Sequence, residues 1–176
     1  MEAYLDNSAT TRVDAQVQEL MKKLMDVDFG NPSSRHQKGV VAEGYIKEAR
    51  QKIAATLKVD PKELIITSGG TESNNMALIG TALAAKRKGN HIITTAVEHP
   101  SVKATASFLE EQGFRITFLS VDSRGQISLE DLKEALTPDT ILVSIMYVNN
   151  EIGAIEPIDE IGRLVHGKNP KTVFHV

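Results

Sequence analysis

The sequence predicts an α/β protein, a three-layer α/β/α arrangement around a mostly parallel sheet. Two observations carry this expectation. From residue 64 onward, short β-rich runs alternate with amphipathic helical patterns: "LIIT" (64–67), "HIITTAV" (91–97), "FRITFLSV" (114–121), "ILVSIMYV" (141–148) and "TVFHV" (172–176). Apolar strands separated by helical crossovers can pair only in parallel, with helices covering the faces. Secondly, 176 residues at 41% hydrophobic and 24% charged suffice for one sizeable core, so one domain or part of one is expected.

Each element has a local reason. Asp14 is a good N-cap, and Val17, Leu20, Met21, Leu24 and Met25 follow helical spacing until Phe29-Gly30-Asn31-Pro32 breaks the pattern. A second helix is expected over 38–58, where Val41, Tyr45, Ala49, Ile53 and Leu57 recur every fourth residue. "DPKE" (60–63) supplies an N-cap, a proline at the first helical position and a glutamate three after the cap, which predicts one short helical turn. Between the strands, helices are expected over about 72–88 ending at Gly89, from Pro100 to Gly113, after the cap Ser128, and after Pro157. The chain thus divides into an arm (1–13), a helical segment (14–63) and an α/β region (64–176).

Several function classes are disfavoured. The net charge is −3, the pI about 6.0, and no block of like charge exists, so the basic footprint of a nucleic-acid binder is missing. No apolar run approaches the ~18 residues of a spanning helix, and "MEAYLDNSATT" does not read as a signal peptide, which makes the cytoplasm the expected compartment. Zero cysteines exclude disulfides, thiolate-bound metals and a cysteine nucleophile within these residues. The histidines at 36, 91, 99, 166 and 175 lack i, i+4 or HExxH spacing, so no metal site is expected, and no GxSxG elbow supports a hydrolase triad.

In open parallel sheets, ligands bind outside the carboxyl ends of the strands. Three stretches stand there: "SGGTESNN" after 64–67, "EHPS" after 91–97 and "NNEIG" after 141–148, whereas "DSRG" reads as a plain turn. Gly69 and Gly70 permit positive φ and close backbone approach, and Thr71 and Ser73 open a helix whose N–H groups suit a phosphate. The same residues also suit a tight turn with Thr71 as N-cap, and both readings stand on this stretch alone. His99 could display an imidazole into the cleft or cap a helix; Asn149, Asn150 and Glu151 could face a ligand or form a turn. Their recurrence at one sheet edge describes a site for a phosphorylated aromatic cofactor.

"YLDNSATT" (4–11), "GNPSSRH" (30–36), "TSGGTESNN" (67–75), "EHPSV" (98–102), "ILVSIMYVNNEIG" (141–153) and the terminal "FHV" together resemble the NifS/IscS-type cysteine desulfurases of the class V aminotransferase family. The resemblance implies a pyridoxal-phosphate enzyme of fold type I and a homodimer. Such an enzyme converts L-cysteine to L-alanine and passes persulfide sulfur to an iron–sulfur scaffold or another acceptor protein. It implies that Gly70 and Thr71 bind the cofactor phosphate, that His99 stacks on the pyridine ring and takes part in proton transfer, and that Asn150 donates to the phenolic oxygen. It also places the arm 1–13 near a small domain and makes 64–176 the first part of the cofactor-binding large domain. The family's "HVDAVQ"-like strand continues with an aspartate, whereas this sequence ends at Val176. The Schiff-base lysine, the persulfide cysteine and the substrate-binding arginine are therefore expected further on, in the rest of a longer chain or a separate one, and residues 1–176 alone are expected to be inactive. A selenocysteine lyase or related lyase, and a non-catalytic binding module, are the alternative readings.

Overall fold

Local signals account for most of the elements in the computed structural model, which describes residues 2–176. These form two compact units, Met1–Ile66 and Thr67–Val176. In the first, the Asp14 carboxylate accepts the Gln16 N–H at 2.8 Å and starts α1 (Ala15–Asp26). His36 caps α2 (Gln37–Leu57), which ends where Lys58 turns left-handed at φ 57°. Tyr45 of α2 donates to Asp28 Oδ2 at 2.7 Å and accepts from Lys23 Nζ at 2.8 Å, fastening the end of α1 to α2. Asp60 and Glu63 form the expected capping box around a 3₁₀ turn, Pro61–Glu63. The apolar stripe of α1 is present, but Val17, Leu20, Met21 and Met25 stay exposed.

"LIIT" is not a strand. Residues 64–66 carry no ladder, and Ile65 and Ile66 are 68% and 58% exposed. A β-rich run becomes a strand only when another strand completes its hydrogen bonds. Among the described residues the strands of the sheet pair only with one another, and this run has no strand partner.

The second unit contains α3 (Gly70–Ala85), β1 (His91–Thr95), α4 (Pro100–Glu111), β2 (Arg115–Leu119), α5 (Leu129–Ala135), β3 (Thr140–Ser144), α6 (Ile158–Lys168) and β4 (Val173–His175). Every pairing is parallel, in the order β2-β1-β3-β4. β1 and β3 are buried along their whole length. Alternate residues serve opposite faces: Ile92 and Leu142 pack with Leu78, Ala82, Val102 and Leu109 of α3 and α4, while Ile93 and Val143 pack with Leu132, Ile161 and Val165 of α5 and α6. The α/β/α layering expected from the sequence is therefore present.

Several boundaries differ from expectation, β1, β2 and β4 being shorter than the runs 91–97, 114–121 and 172–176. α3 stops at Ala85, and Gly89 is required by packing: a Cβ there would lie 2.2 Å from the Asp139 carbonyl oxygen. β3 ends at Ser144, and although the Ile145 N–H still donates to the His175 carbonyl at 3.0 Å, residues 146–148 leave the sheet before "NNEIG". Gly113 lies just beyond α4 at φ +90°, a backbone that penalises a Cβ although space is free there. Gly113→Ala is expected to cost about 1 kcal/mol in urea unfolding without altering the site.

Candidate functional site

The strand order dictates where a crevice opens. From β1 the chain moves outward to β2, then returns to the other side of β1 to form β3. The loops after β1 and β3 consequently lead to helices on opposite faces, α4 and α6, and diverge at the carboxyl edge. A pocket of about 200 Å³ lies between them, lined by Glu98, His99, Lys103, Asn149, Asn150 and Glu151 among others. His99 and Asn150, singled out separately in the sequence, thus meet in one pocket.

Two buried polar side chains hold the loops together. Glu98, 5% exposed, accepts the Met146 N–H at 2.8 Å and the Thr95 hydroxyl at 3.1 Å through Oε1. Burial pushes its carboxyl above the ordinary range, against those two hydrogen bonds, which favour the charged form. Asn149, 7% exposed, donates from Nδ2 to the Val97 carbonyl at 2.9 Å. Its Oδ1 accepts the N–H groups of Glu151 and Ile152 at 2.9 and 3.0 Å. Asn149 is therefore a loop-former, and its neighbour Asn150 is left exposed toward the pocket.

His99 is the N-cap of α4, its Nδ1 accepting the Ser101 N–H at 3.1 Å, with Pro100 at the first helical position. Capping and display are thus not alternatives, because capping consumes Nδ1 and leaves Nε2 without a partner among the described residues. Gly70 and Thr71 lie at the start of α3. That start is joined to α4 by Asn74, whose Nδ2 donates to Ser101 Oγ at 2.9 Å, and by Thr105, whose hydroxyl lies 2.8 Å from Asn75 Oδ1.

The positive φ that Gly69 and Gly70 permit is not used. Gly69 is extended (φ 162°, ψ 179°) and Gly70 begins the helix. Nor is Thr71 the N-cap: Gly69 is, and no side chain caps α3. What the glycines leave is room, since a Cβ at either position would meet nothing within 4 Å. Ser68 is bound instead by Glu72, whose carboxylate accepts its N–H at 2.7 Å and its hydroxyl at 2.6 Å. The Gly70, Thr71 and Glu72 N–H groups have no acceptor among the described residues, so α3 presents an uncapped, unobstructed positive end. An uncapped helix end with open space above it fits a phosphate, and a pocket bearing a ring and an amide fits an aromatic group. No group of acidic, histidine or cysteine side chains able to hold a metal occurs among the described residues, and no helix there is long and apolar enough to cross a membrane.

Glu98, Asn74 and Ser101 were missed by sequence reasoning. The only signal was adjacency: Glu98 precedes His99, and Ser101 closes "EHPS".

The aminotransferase class-V family model matches residues 3–176. The chain is 49% identical over 172 residues to the putative cysteine desulfurase IscS 1 of Bacillus subtilis (strain 168), covering 98% of this chain and 45% of that protein. It is 48% identical over 172 residues to the cysteine desulfurase IscS of Methanosarcina thermophila, covering 98% and 42%. Among solved structures, a NifS-like protein superposes with a TM-score of 0.97 at 43% identity, covering all of this chain and 48% of the other. SspA in complex with cysteine gives 0.91 at 40%, covering 98% and 49%. The chain spans less than half the length of these relatives. With the family model matching nearly every residue, the chain belongs to the class-V aminotransferases.

Proposed function

We propose that this chain carries the phosphate- and ring-binding half of a pyridoxal-phosphate cysteine desulfurase. The observation that carries the reading is the meeting of His99 and Asn150 in one pocket at the sheet's reversal point, tied through Ser101 and Asn74 to the uncapped start of α3. Gly70 and Thr71 hold the phosphate with backbone N–H groups and the Thr71 hydroxyl. Asn150 donates its amide to the phenolic oxygen, and His99 lies against the ring. Bound there, pyridoxal phosphate supplies an electron sink for charge developing at the substrate's α-carbon. Glu98 and Asn149 keep the two loops in register, so that ring and amide stay aligned.

In the proposed overall reaction, L-cysteine and an enzyme thiol give L-alanine and an enzyme persulfide. The substrate's C–S bond breaks, an S–S bond forms and the released carbon gains a proton. The chain contains no cysteine, so the accepting thiol comes from outside these residues, and in this reading the covalent lysine does too. The relatives' names and the cysteine complex of SspA support cysteine as substrate; in this reading the whole protein is a cytoplasmic homodimer that passes sulfur to an iron–sulfur scaffold or another acceptor protein.

Thr71→Val tests the phosphate assignment. The hydroxyl has no intramolecular partner among the described residues, so stability should stay within about 0.5 kcal/mol. Titration of the cofactor-free full-length variant with pyridoxal phosphate, followed by absorbance, should show roughly tenfold weaker binding, as for one lost charge-assisted hydrogen bond. Unchanged affinity would remove the phosphate from this helix end.

A further inference from the structure

The contacts around His99 determine which of its nitrogens carries the proton. Nδ1 lies 3.1 Å from the backbone N–H of Ser101 and 2.8 Å from the Ser101 hydroxyl. A backbone N–H can only donate, so Nδ1 must offer its lone pair. The hydroxyl has one proton and is itself approached at 2.9 Å by the Asn74 amide. Were the Asn74 carbonyl oxygen to face Ser101, the hydroxyl proton would go to it. Ser101 Oγ would then confront Nδ1 lone pair against lone pair. The proton order that leaves no clash runs from the Asn74 Nδ2–H to Ser101 Oγ, then from the Ser101 O–H to Nδ1. Ser101 is only 8% exposed, so water competes little for these bonds.

We infer that Asn74 and Ser101 are positioning residues that hold neutral His99 in its Nε2–H tautomer, so that the ring presents an N–H donor to the pocket. Its significance for catalysis rests on the proposed cofactor site, whereas the tautomer does not. A ring so held donates a hydrogen bond at its outer nitrogen. The α3–α4 contact thereby acts on the pocket through two hydrogen bonds and no direct contact with a ligand.

Nitrogen NMR reads this directly. In the cofactor-free full-length protein labelled with ¹⁵N-histidine, at about pH 8 where an ordinary imidazole is neutral, the His99 signals are those lost in His99→Asn. The expected result is a pyridine-type Nδ1 and a pyrrole-type Nε2; a proton on Nδ1 would overturn the assignment. In Asn74→Asp the new carboxylate takes the Ser101 proton, and the population protonated at Nδ1 should rise at least fivefold, the equivalent of one hydrogen bond of about 1 kcal/mol. An unchanged population excludes Asn74 from the relay. Ser101→Ala, which keeps the backbone donor, should raise the same population severalfold, and no rise would exclude the hydroxyl. Because no cofactor is present, failure here is separate from failure of the Thr71 titration.

Discussion

His99→Asn in the full-length protein is expected to lower turnover of L-cysteine to L-alanine by on the order of 10² to 10⁴ while leaving the fold intact. The contrast arises because His99 has two roles at two atoms. Its Nδ1 caps α4, and asparagine is among the best N-cap residues, so the N–H of Ser101 keeps an acceptor. The ring facing Asn150 across the pocket has no substitute. Unfolding free energy should therefore change by less than about 1 kcal/mol, whereas His99→Ala, losing cap and ring together, should cost about 0.5–2 kcal/mol. Alanine release and urea unfolding measured on both variants separate the roles. If His99→Asn retains most of its turnover, the histidine is a cap and nothing more, and the proposed function loses its central residue.

What was legible in the sequence follows the range of the interactions involved. Asp14, Asp60 and Ser128 mark helix starts because a cap bonds to an N–H two or three residues away, within one short window of sequence, and Pro100 marks one because its fixed φ suits the first helical position. The parallel sheet was legible because β1 and β3 are buried on both faces and carry apolar centres, Ile92-Ile93 and Ile141-Leu142-Val143, although polar His91, Thr94, Thr95, Thr140 and Ser144 are buried with them. Residues 64–67 share that composition, but a strand also needs a partner, which composition does not record. Gly89 was misread for a related reason, since its constraint is the Asp139 carbonyl fifty residues away. In the site, His99 and Asn150 stood out by residue type at strand ends. Glu98 did not, because a glutamate reads as solvent-facing unless its burial is known. Its acceptor role toward Met146 depends on β3 ending at Ser144, which the apolar run 141–148 conceals.

Acid should destabilise the second unit through His91, a residue remote from the proposed chemistry. The side chain is fully buried at the start of β1, with Nδ1 2.8 Å from Thr140 Oγ1 and Nε2 2.8 Å from Thr117 Oγ1. Burial, aided by the Arg115 charge and opposed by Asp139, lowers its pKa from 6.5 to about 4. The sign follows from proton uptake. As pH falls below about 6.5 the unfolded chain binds a proton at this position while the folded one does not, so stability is lost until the folded pKa is reached. The loss should be about 2 kcal/mol at pH 5, levelling near 3 kcal/mol below pH 4. Glu98 and Glu156 act oppositely, because burial raises both carboxyls and the folded state takes up their protons first, offsetting part of the loss. Comparison with His91→Gln isolates the histidine: the amide can still serve both threonines but does not titrate, while the two glutamates contribute equally to both proteins. The difference in urea-unfolding free energy between wild type and variant should narrow by about 2 kcal/mol from pH 7 to pH 5, in the variant's favour. A pH-independent difference would mean that His91 is protonated in the fold, with the two threonine hydroxyls acting as its acceptors.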